Sequence, residues 1–262
     1  MNTYKVLFLD VDGTILRPDD TIEASTKEAI IQVQEKGLEV FLATGRPLHE
    51  IKELASELNI RSYIGYNGAY GIYNGEDLFQ EPMDEAAVGR FLTIAKQHQQ
   101  EVVLYTNKKN IFTNLHTTAI EEFIKTFHLH KNESYSPSVN KDVLGMTLIN
   151  VEPDEALLYK NEVGIHLSQV NVAGMEHCYD VIRDKVNKGY GINMVLNHLG
   201  IQKESSIAFG DGMNDKEMLM SVGVGFAMGN GHPNLFQYAK HKTTDVTNSG
   251  IYNGLKKLGL VE

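Results

Sequence analysis

The stretch FLDVDGTIL, Phe8 to Leu16, decides how the chain is read. Apolar residues run straight into Asp10 and Asp12, followed by Gly13 and Thr14. Two acids this close raise each other's pKa and cost free energy unless positive charge lies between them. The pair is either a hydrated surface turn or a site where a metal ion and a phosphoryl group supply the reason. The remainder of the chain discriminates between the two.

Upstream, Tyr4 to Leu9 is a short apolar run of the kind buried on both faces. Downstream, Pro18-Asp19-Asp20 marks a turn, and the capping box Ser25-x-x-Glu28 opens a helix that Gly37 closes. A second run, Val40 to Ala43, ends at Thr44-Gly45-Arg46. Pro47 suits the first position of a helix whose apolar face is Leu48, Ile51, Leu54, Ala55 and Leu58. Tyr63-Ile64-Gly65 reads as a third strand ending at Asn67-Gly68. This βαβαβ pattern predicts a doubly wound parallel α/β sheet. It resumes with a helix over Tyr190–Leu199, a strand over Ser206–Phe209 ending at Gly210-Asp211, and a helix opened by Asn214 with Glu217.

Between roughly Met83 and Asp184 the texture changes. Strand patterns at Val102–Tyr105, Val143–Asn150, Ile165–Val172 and Cys178–Ile182 mix with helical patterns over 88–98, 118–127 and 154–161. The expected organisation is a core in two parts, 1–82 and 185–262, with an α+β domain, 83–184, inserted between them.

At 262 residues the chain is long enough for such a pair. Against 24 Lys+Arg stand 34 Asp+Glu, a formal charge of −10. That balance disfavours nucleic-acid and anionic-membrane binding, which rely on basic patches. The single cysteine, Cys178, excludes an intrachain disulfide. No run approaches the ~20 apolar residues that span a bilayer, and the N-terminal VLFL is too short for a signal segment. A cytoplasmic protein is the expectation.

In an open α/β sheet, ligands sit outside the carboxyl ends of the strands. Three strands here end in polar signatures: Asp10-x-Asp12-Gly13-Thr14, Thr44-Gly45-Arg46 and Gly210-Asp211-Gly212-Met213-Asn214-Asp215. Helix starts close behind aim backbone N–H groups into the same crevice. Carboxylates beside anion-binding amides make sense when a divalent cation bridges acids to a phosphate. Mg²⁺ prefers such oxygen ligands, and phosphoryl transfer asks mainly for positioning and charge neutralisation. A carboxylate can also be the nucleophile.

The ordered set DVDGT, TGR, NKG and GDGMND resembles the four motifs of the haloacid dehalogenase superfamily of phosphohydrolases. The NGA step at Asn67, the AMGN at Ala227 and the large insertion between the second and third motifs are similar to its Cof-type branch. The resemblance implies a Rossmann-like core with an inserted cap that closes over the site. It implies a Mg²⁺-dependent phosphatase acting on small phosphorylated metabolites such as sugar phosphates, nucleotides or cofactor phosphates. Residue by residue, Asp10 is then the nucleophile and a Mg²⁺ ligand. Asp12 is the general acid and later the base, its backbone carbonyl also touching the metal. Thr44 and Lys188 bind the phosphoryl group with the Gly45 amide, and Arg46 reaches toward the cap or the substrate. Asp211 is the third metal ligand, while Asn214 and Asp215 orient lysine, water or phosphate. The chain departs from the branch at Phe236, where relatives often carry a lysine, and at Thr247-Asn248-Ser249-Gly250, a reduced acidic stretch.

Other readings are weaker or open. An EF-hand loop needs its glycine at the sixth position, and Gly13 is the fourth. The glycines from Gly223 to Gly231 fail the dinucleotide spacing, because Met228 or Asn230 stands where glycine is needed. His128-x-His130 reads as surface, and Met175, Met213, Met218 and Met220 as packing residues. A phosphomutase using the same aspartyl-phosphate, or a non-catalytic phosphometabolite binder, remains the alternative. Oligomeric state is open, with a monomer compatible.

Overall fold

The computed structural model describes residues 4–160 and 162–262, so the end of the helical pattern over 154–161 lies outside it. Its two compact units are the residues up to Phe79 together with Val186–Glu262, and Gln80–Lys185. The boundaries expected from sequence stood after 82 and after 184.

In the first unit, β1 (Val6–Leu9), β2 (Glu39–Ala43), β3 (Ser62–Gly65), β4 (Tyr70–Tyr73) and β5 (Glu76–Gln80) precede the insertion. The second unit holds β6 (Glu101–Tyr105), β7 (Asn110–Phe112), β8 (Asn132–Ser134), β9 (Gly145–Ile149), β10 (Ile165–Gln169) and β11 (Tyr179–Arg183). The first unit is completed by β12 (Ser206–Gly210), β13 (Val224–Ala227) and β14 (His241–Lys242). The helices are α1 (Ala24–Glu35), α2 (Lys52–Glu57), α3 (Glu85–Gln97), α4 (Thr118–Thr126), α5 (Lys188–Leu199), α6 (Lys216–Ser221) and α7 (Gly250–Lys257).

The first unit's sheet has the order β14-β13-β12-β1-β2-β3-β4-β5. It is parallel from β14 to β3, and only then does β4 turn antiparallel to β3. Alternate residues of a strand face opposite sides of a sheet, so both faces must be covered. On one face Ile192, Val195 and Leu196 of α5 and Met218 and Leu219 of α6 pack on Val6, Phe8, Phe41, Ala43 and Ile64. On the other, α7 presents Gly254 to Phe209, where an added Cβ would stand 2.4 Å from the ring. Phe209 and Phe226 stack there at 4.6 Å, and α1 packs beside α7. Strand order reverses between β1 and β12, which places the switch-point crevice at their carboxyl ends. Asp10 and Asp211 stand at those ends.

The second unit's sheet runs β10-β11-β9-β6-β7-β8, antiparallel except for β7 with β8. α3 covers one face through Val88, Phe91 and Ala95, and α4 the other through Ile120 and Phe123. Both helices are capped by side chains, Asp84 accepting from the Ala87 amide and Thr117 from the Ile120 amide. The edge strand β8 and its neighbour β7 have three residues each, too few for a period of two to register.

Several expected helix starts moved, each for a tertiary reason. Ser25 does not cap α1, because its hydroxyl bonds to Ser249 Oγ at 3.0 Å and Glu23 takes the N-cap position without a side-chain bond. Pro47 opens a turn rather than α2, which starts at Lys52. Leu48 is held instead against Gly65, where a Cβ would stand 2.4 Å from its Cδ2. Asn214 does not open α6; residues 213–215 form a 3₁₀ turn, and Asp215 accepts from the Gly212 amide at 3.0 Å. Of the four methionines expected in the packing, Met175 and Met218 are buried while Met213 and Met220 are exposed. Among the described residues no helix is long and apolar enough to cross a membrane.

One half-buried acid, Asp180, lies in the second unit. Tyr105 shares a hydrogen bond with Thr147 (2.9 Å), and the Thr147 hydroxyl donates to Asp180 at 2.6 Å. Burial pushes the Asp180 carboxyl up, against the Thr147 hydrogen bond that lowers it. A folded-state pKa above the unfolded value means that the native state loses stability as pH rises through that interval. Asp180→Asn keeps the acceptor and removes the charge. It is expected to raise the unfolding midpoint at pH 7, with the gain vanishing as pH falls below the ordinary carboxylate range, in thermal melts across pH.

Candidate active site

The site grows out of the first strand. The Asp10 amide donates to the Phe209 carbonyl at 3.0 Å, which fixes the carboxylate at the gap between β1 and β12. The chain then turns tightly, the Ile15 and Leu16 amides both bonding to the Val11 carbonyl at 2.9 and 2.8 Å. Gly13 has φ +75°, and a Cβ there would stand 2.3 Å from Asp211 Oδ2. Both the dihedral and the space therefore require glycine. Thr14 donates to Asp211 Oδ1 at 3.3 Å. Asn230, from the AMGN segment, donates to the Gly13 carbonyl and accepts from the Val246 amide, each at 2.8 Å.

The ammonium of Lys188 lies at the centre. Asn187 caps α5 by accepting from the Tyr190 amide at 3.0 Å, which places Lys188 at the first helical position. Its Nζ stands 2.5 Å from Asp10 Oδ1 and 2.6 Å from Asp215 Oδ1, and its side chain is wholly buried. The second oxygen of Asp215 accepts from the Asp211 and Gly212 amides at 2.9 and 3.0 Å. Asp215 is thus fully engaged in holding the lysine and its own loop.

The electrostatics follow from this crowding. Burial and the charge of Asp215 push the Asp10 carboxyl well up, against the pull of Lys188. Burial and Asp215 raise Asp211 to about 6. Burial opposes the charge on Lys188, but Asp10 and Asp215 outweigh it and the amine stays protonated. Asp10, Asp211 and Asp215 each offer an oxygen within 4.8 Å of the others, with one ammonium among them. The set carries surplus negative charge and consists of oxygens alone, which fits a hard divalent cation better than a thiophilic one.

The second loop lies beside the first. Thr44 is buried, and its hydroxyl accepts from the Arg46 amide at 3.0 Å. Among the described residues that hydroxyl's own proton has no acceptor, nor has the amide of the exposed Gly45. Arg46 forks onto Asp12, with Nε 2.9 Å from Oδ2 and Nη2 on Oδ1. Asp12 keeps an exposed carboxylate in this pair. Sequence reasoning gave no warning of this fork, nor of the bond from Asn214 Nδ2 to Asn67 Oδ1 at 3.1 Å. Phe236 lies under the Lys242 ammonium, 3.7 Å from its ring centre.

A family model for haloacid dehalogenase-like hydrolases matches residues 7–255. The chain belongs to that family. The family match, the phosphatase relatives and the subclass IIB structural neighbours support the Cof-type branch. The chain is 31% identical to YkrA of Bacillus subtilis (strain 168), provisionally named a phosphatase, over 98% of this chain and 99% of that one. It is 25% identical to YitU of the same organism, a 5-amino-6-(5-phospho-D-ribitylamino)uracil phosphatase, over 96% of each chain. The structure of the subclass IIB sugar phosphatase BT4131 superposes with a TM-score of 0.83 at 25% identity, covering 98% of this chain and 100% of that one.

Removing one partner of a buried ion cluster leaves the others uncompensated. Lys188→Met is expected to destabilise the first unit by roughly 3–5 kcal/mol, read as a lower denaturant midpoint. A change below about 1 kcal/mol, the scale of an exposed pair, would show that the ammonium is not what holds the carboxylates together.

Proposed function

We propose that the protein is a Mg²⁺-dependent phosphatase that hydrolyses small phosphate monoesters through an aspartyl-phosphate on Asp10. The observation that carries this reading is the buried Lys188 ammonium held between Asp10 and Asp215 beside Asp211, at the switch point of a parallel sheet. Asp10 and Asp211, with the backbone carbonyl of Asp12, would hold the cation. When bound, it neutralises the surplus negative charge and draws electron density from the phosphoryl oxygens.

The chain's own groups then divide the work. One Asp10 oxygen attacks phosphorus in line with the ester oxygen, forming the O–P bond as the P–O(ester) bond breaks. An alkoxide leaves poorly without a proton, and Asp12, released from Arg46 and protonated from solvent, supplies it. Asp12 then takes a proton from water, which attacks the same phosphorus, breaks the Asp10–P bond and yields inorganic phosphate. Lys188, the Thr44 hydroxyl, the Gly45 amide and Asn214 hold the three equatorial oxygens and lower the barrier electrostatically. Asp215 keeps Lys188 in place. The named activities of YitU and BT4131, a ribityl phosphate ester and sugar phosphates, favour a phosphorylated sugar or polyol as substrate.

Phosphate release from a panel of monoesters, with Mg²⁺ and with EDTA, tests the reading. Turnover is expected only with the metal, and Asp10→Asn is expected to lose at least a thousandfold in kcat. Interconversion of phosphate isomers with little free phosphate would replace hydrolysis by a mutase. Independently of turnover, Mg²⁺ at a hundred times its Kd is expected to stabilise the protein by about 2.7 kcal/mol. Asp211→Asn should abolish most of that gain.

A further inference from the structure

The NGA step has no part in the chemistry described above, yet its backbone is the most unusual in the first unit. Tyr66, Asn67 and Gly68 follow one another at φ 53°, 51° and 100°. Two non-glycine residues in the left-handed region cost roughly 1–2 kcal/mol each, and such strain persists only where surrounding contacts impose it. Here the Tyr66 amide bonds to the Arg46 carbonyl at 3.3 Å and the Asn67 amide to the Thr44 carbonyl at 3.1 Å. On the far side Gly68 abuts the cap of the lysine helix, where a Cβ would stand 2.0 Å from the Asn187 carbonyl oxygen. The turn is thus sutured to the Thr44–Arg46 loop and to the residue preceding Lys188.

Its conformation aims one side chain at the site. The Asn67 amide lies across Gly45, where a Cβ would stand 3.1 Å from Oδ1 and 3.2 Å from Nδ2. Its Oδ1 accepts from Asn214 Nδ2 at 3.1 Å, the one hydrogen bond of the Asn67 side chain among the described residues. An amide nitrogen carries two protons. The bond to Asn67 engages one of Asn214's, fixes the plane of its amide and leaves the other N–H for an anion.

We infer that Asn67 is a positioning residue for phosphate binding, holding the Asn214 amide by hydrogen bond and the Gly45 loop by contact so that both N–H groups meet the phosphoryl oxygens. The inference rests on the proposed reading of Asn214 and Gly45 as phosphate-binding groups, and it adds a residue outside the four motifs to that set. Without Asn67, the Asn214 amide is free to rotate and must be ordered by the ligand itself, which weakens binding.

The test is a double-mutant cycle read by calorimetric binding of inorganic phosphate to the full chain in Mg²⁺. Asn67→Gly tolerates the left-handed backbone and deletes only the amide. It is expected to weaken phosphate binding about tenfold, the scale of one lost charge-assisted hydrogen bond. Asn214→Ala should cost at least as much, and the double variant clearly less than the product of the two losses. Losses that multiply to about a hundredfold, or unchanged binding in a folded Asn67→Gly, would overturn the inference. Asn67→Ser, too short to reach Asn214 Nδ2, gives the same reading should the glycine variant unfold. Phosphate release is scored separately. A coupled cycle in a protein that hydrolyses no ester refutes the phosphatase reading alone, and hydrolysis with an uncoupled cycle refutes this inference alone.

Discussion

The first unit is organised around one ammonium group. A lysine with no exposed surface, 2.5 and 2.6 Å from two carboxylates, persists only because each ion compensates the others' lost hydration. Asp10 arrives from the end of the first strand, Asp215 from the turn after β12 and Lys188 from the start of a helix 178 residues beyond Asp10. None of the three is tolerable buried alone. The interaction thus specifies the meeting of loops that are distant in the chain, and it keeps acids where phosphate chemistry can use them.

Backbone proximity makes this possible. The N-terminus of α5 is seated by glycines: a Cβ on Gly189 would stand 2.6 Å from the Glu217 carbonyl, and one on Gly191 2.6 Å from Ile64 Cγ2. Main chain therefore packs on main chain around Lys188, and a helix so confined has little freedom to shift its first residue. Close packing transmits small displacements instead of absorbing them. The same logic applies at Gly13, whose missing side chain lets Asp211 approach the first loop.

What the sequence disclosed is graded by how local its cause is. The alternation of apolar runs with amphipathic stretches is a local signal, and the parallel sheet could be read from it. Loops that end strands carry polar residues, so Asp10, Thr44 and Asp211 could be read there, whereas Lys188, at the start of a helix, entered only through the family resemblance. Helix starts were less legible, since Ser25 pairs with Ser249 and Asp215 rather than Asn214 serves its turn. Those choices depend on partners contributed by other elements. The Arg46–Asp12 fork and the Asn67–Asn214 bond span 34 and 147 residues and leave no periodicity to detect.

The two cations of the site sit in very different surroundings, and ionic strength separates them. Arg46 and Asp12 keep 39% and 55% of their side-chain surface exposed, whereas Lys188 has none. Mobile ions screen charges that water reaches and leave desolvated ones almost untouched. Added salt therefore loosens the clasp on Asp12 while the lysine keeps its grip on Asp10. Within the site, the response to ionic surroundings therefore falls on Asp12, proposed to move protons, while Asp10, the proposed nucleophile, is insulated from it.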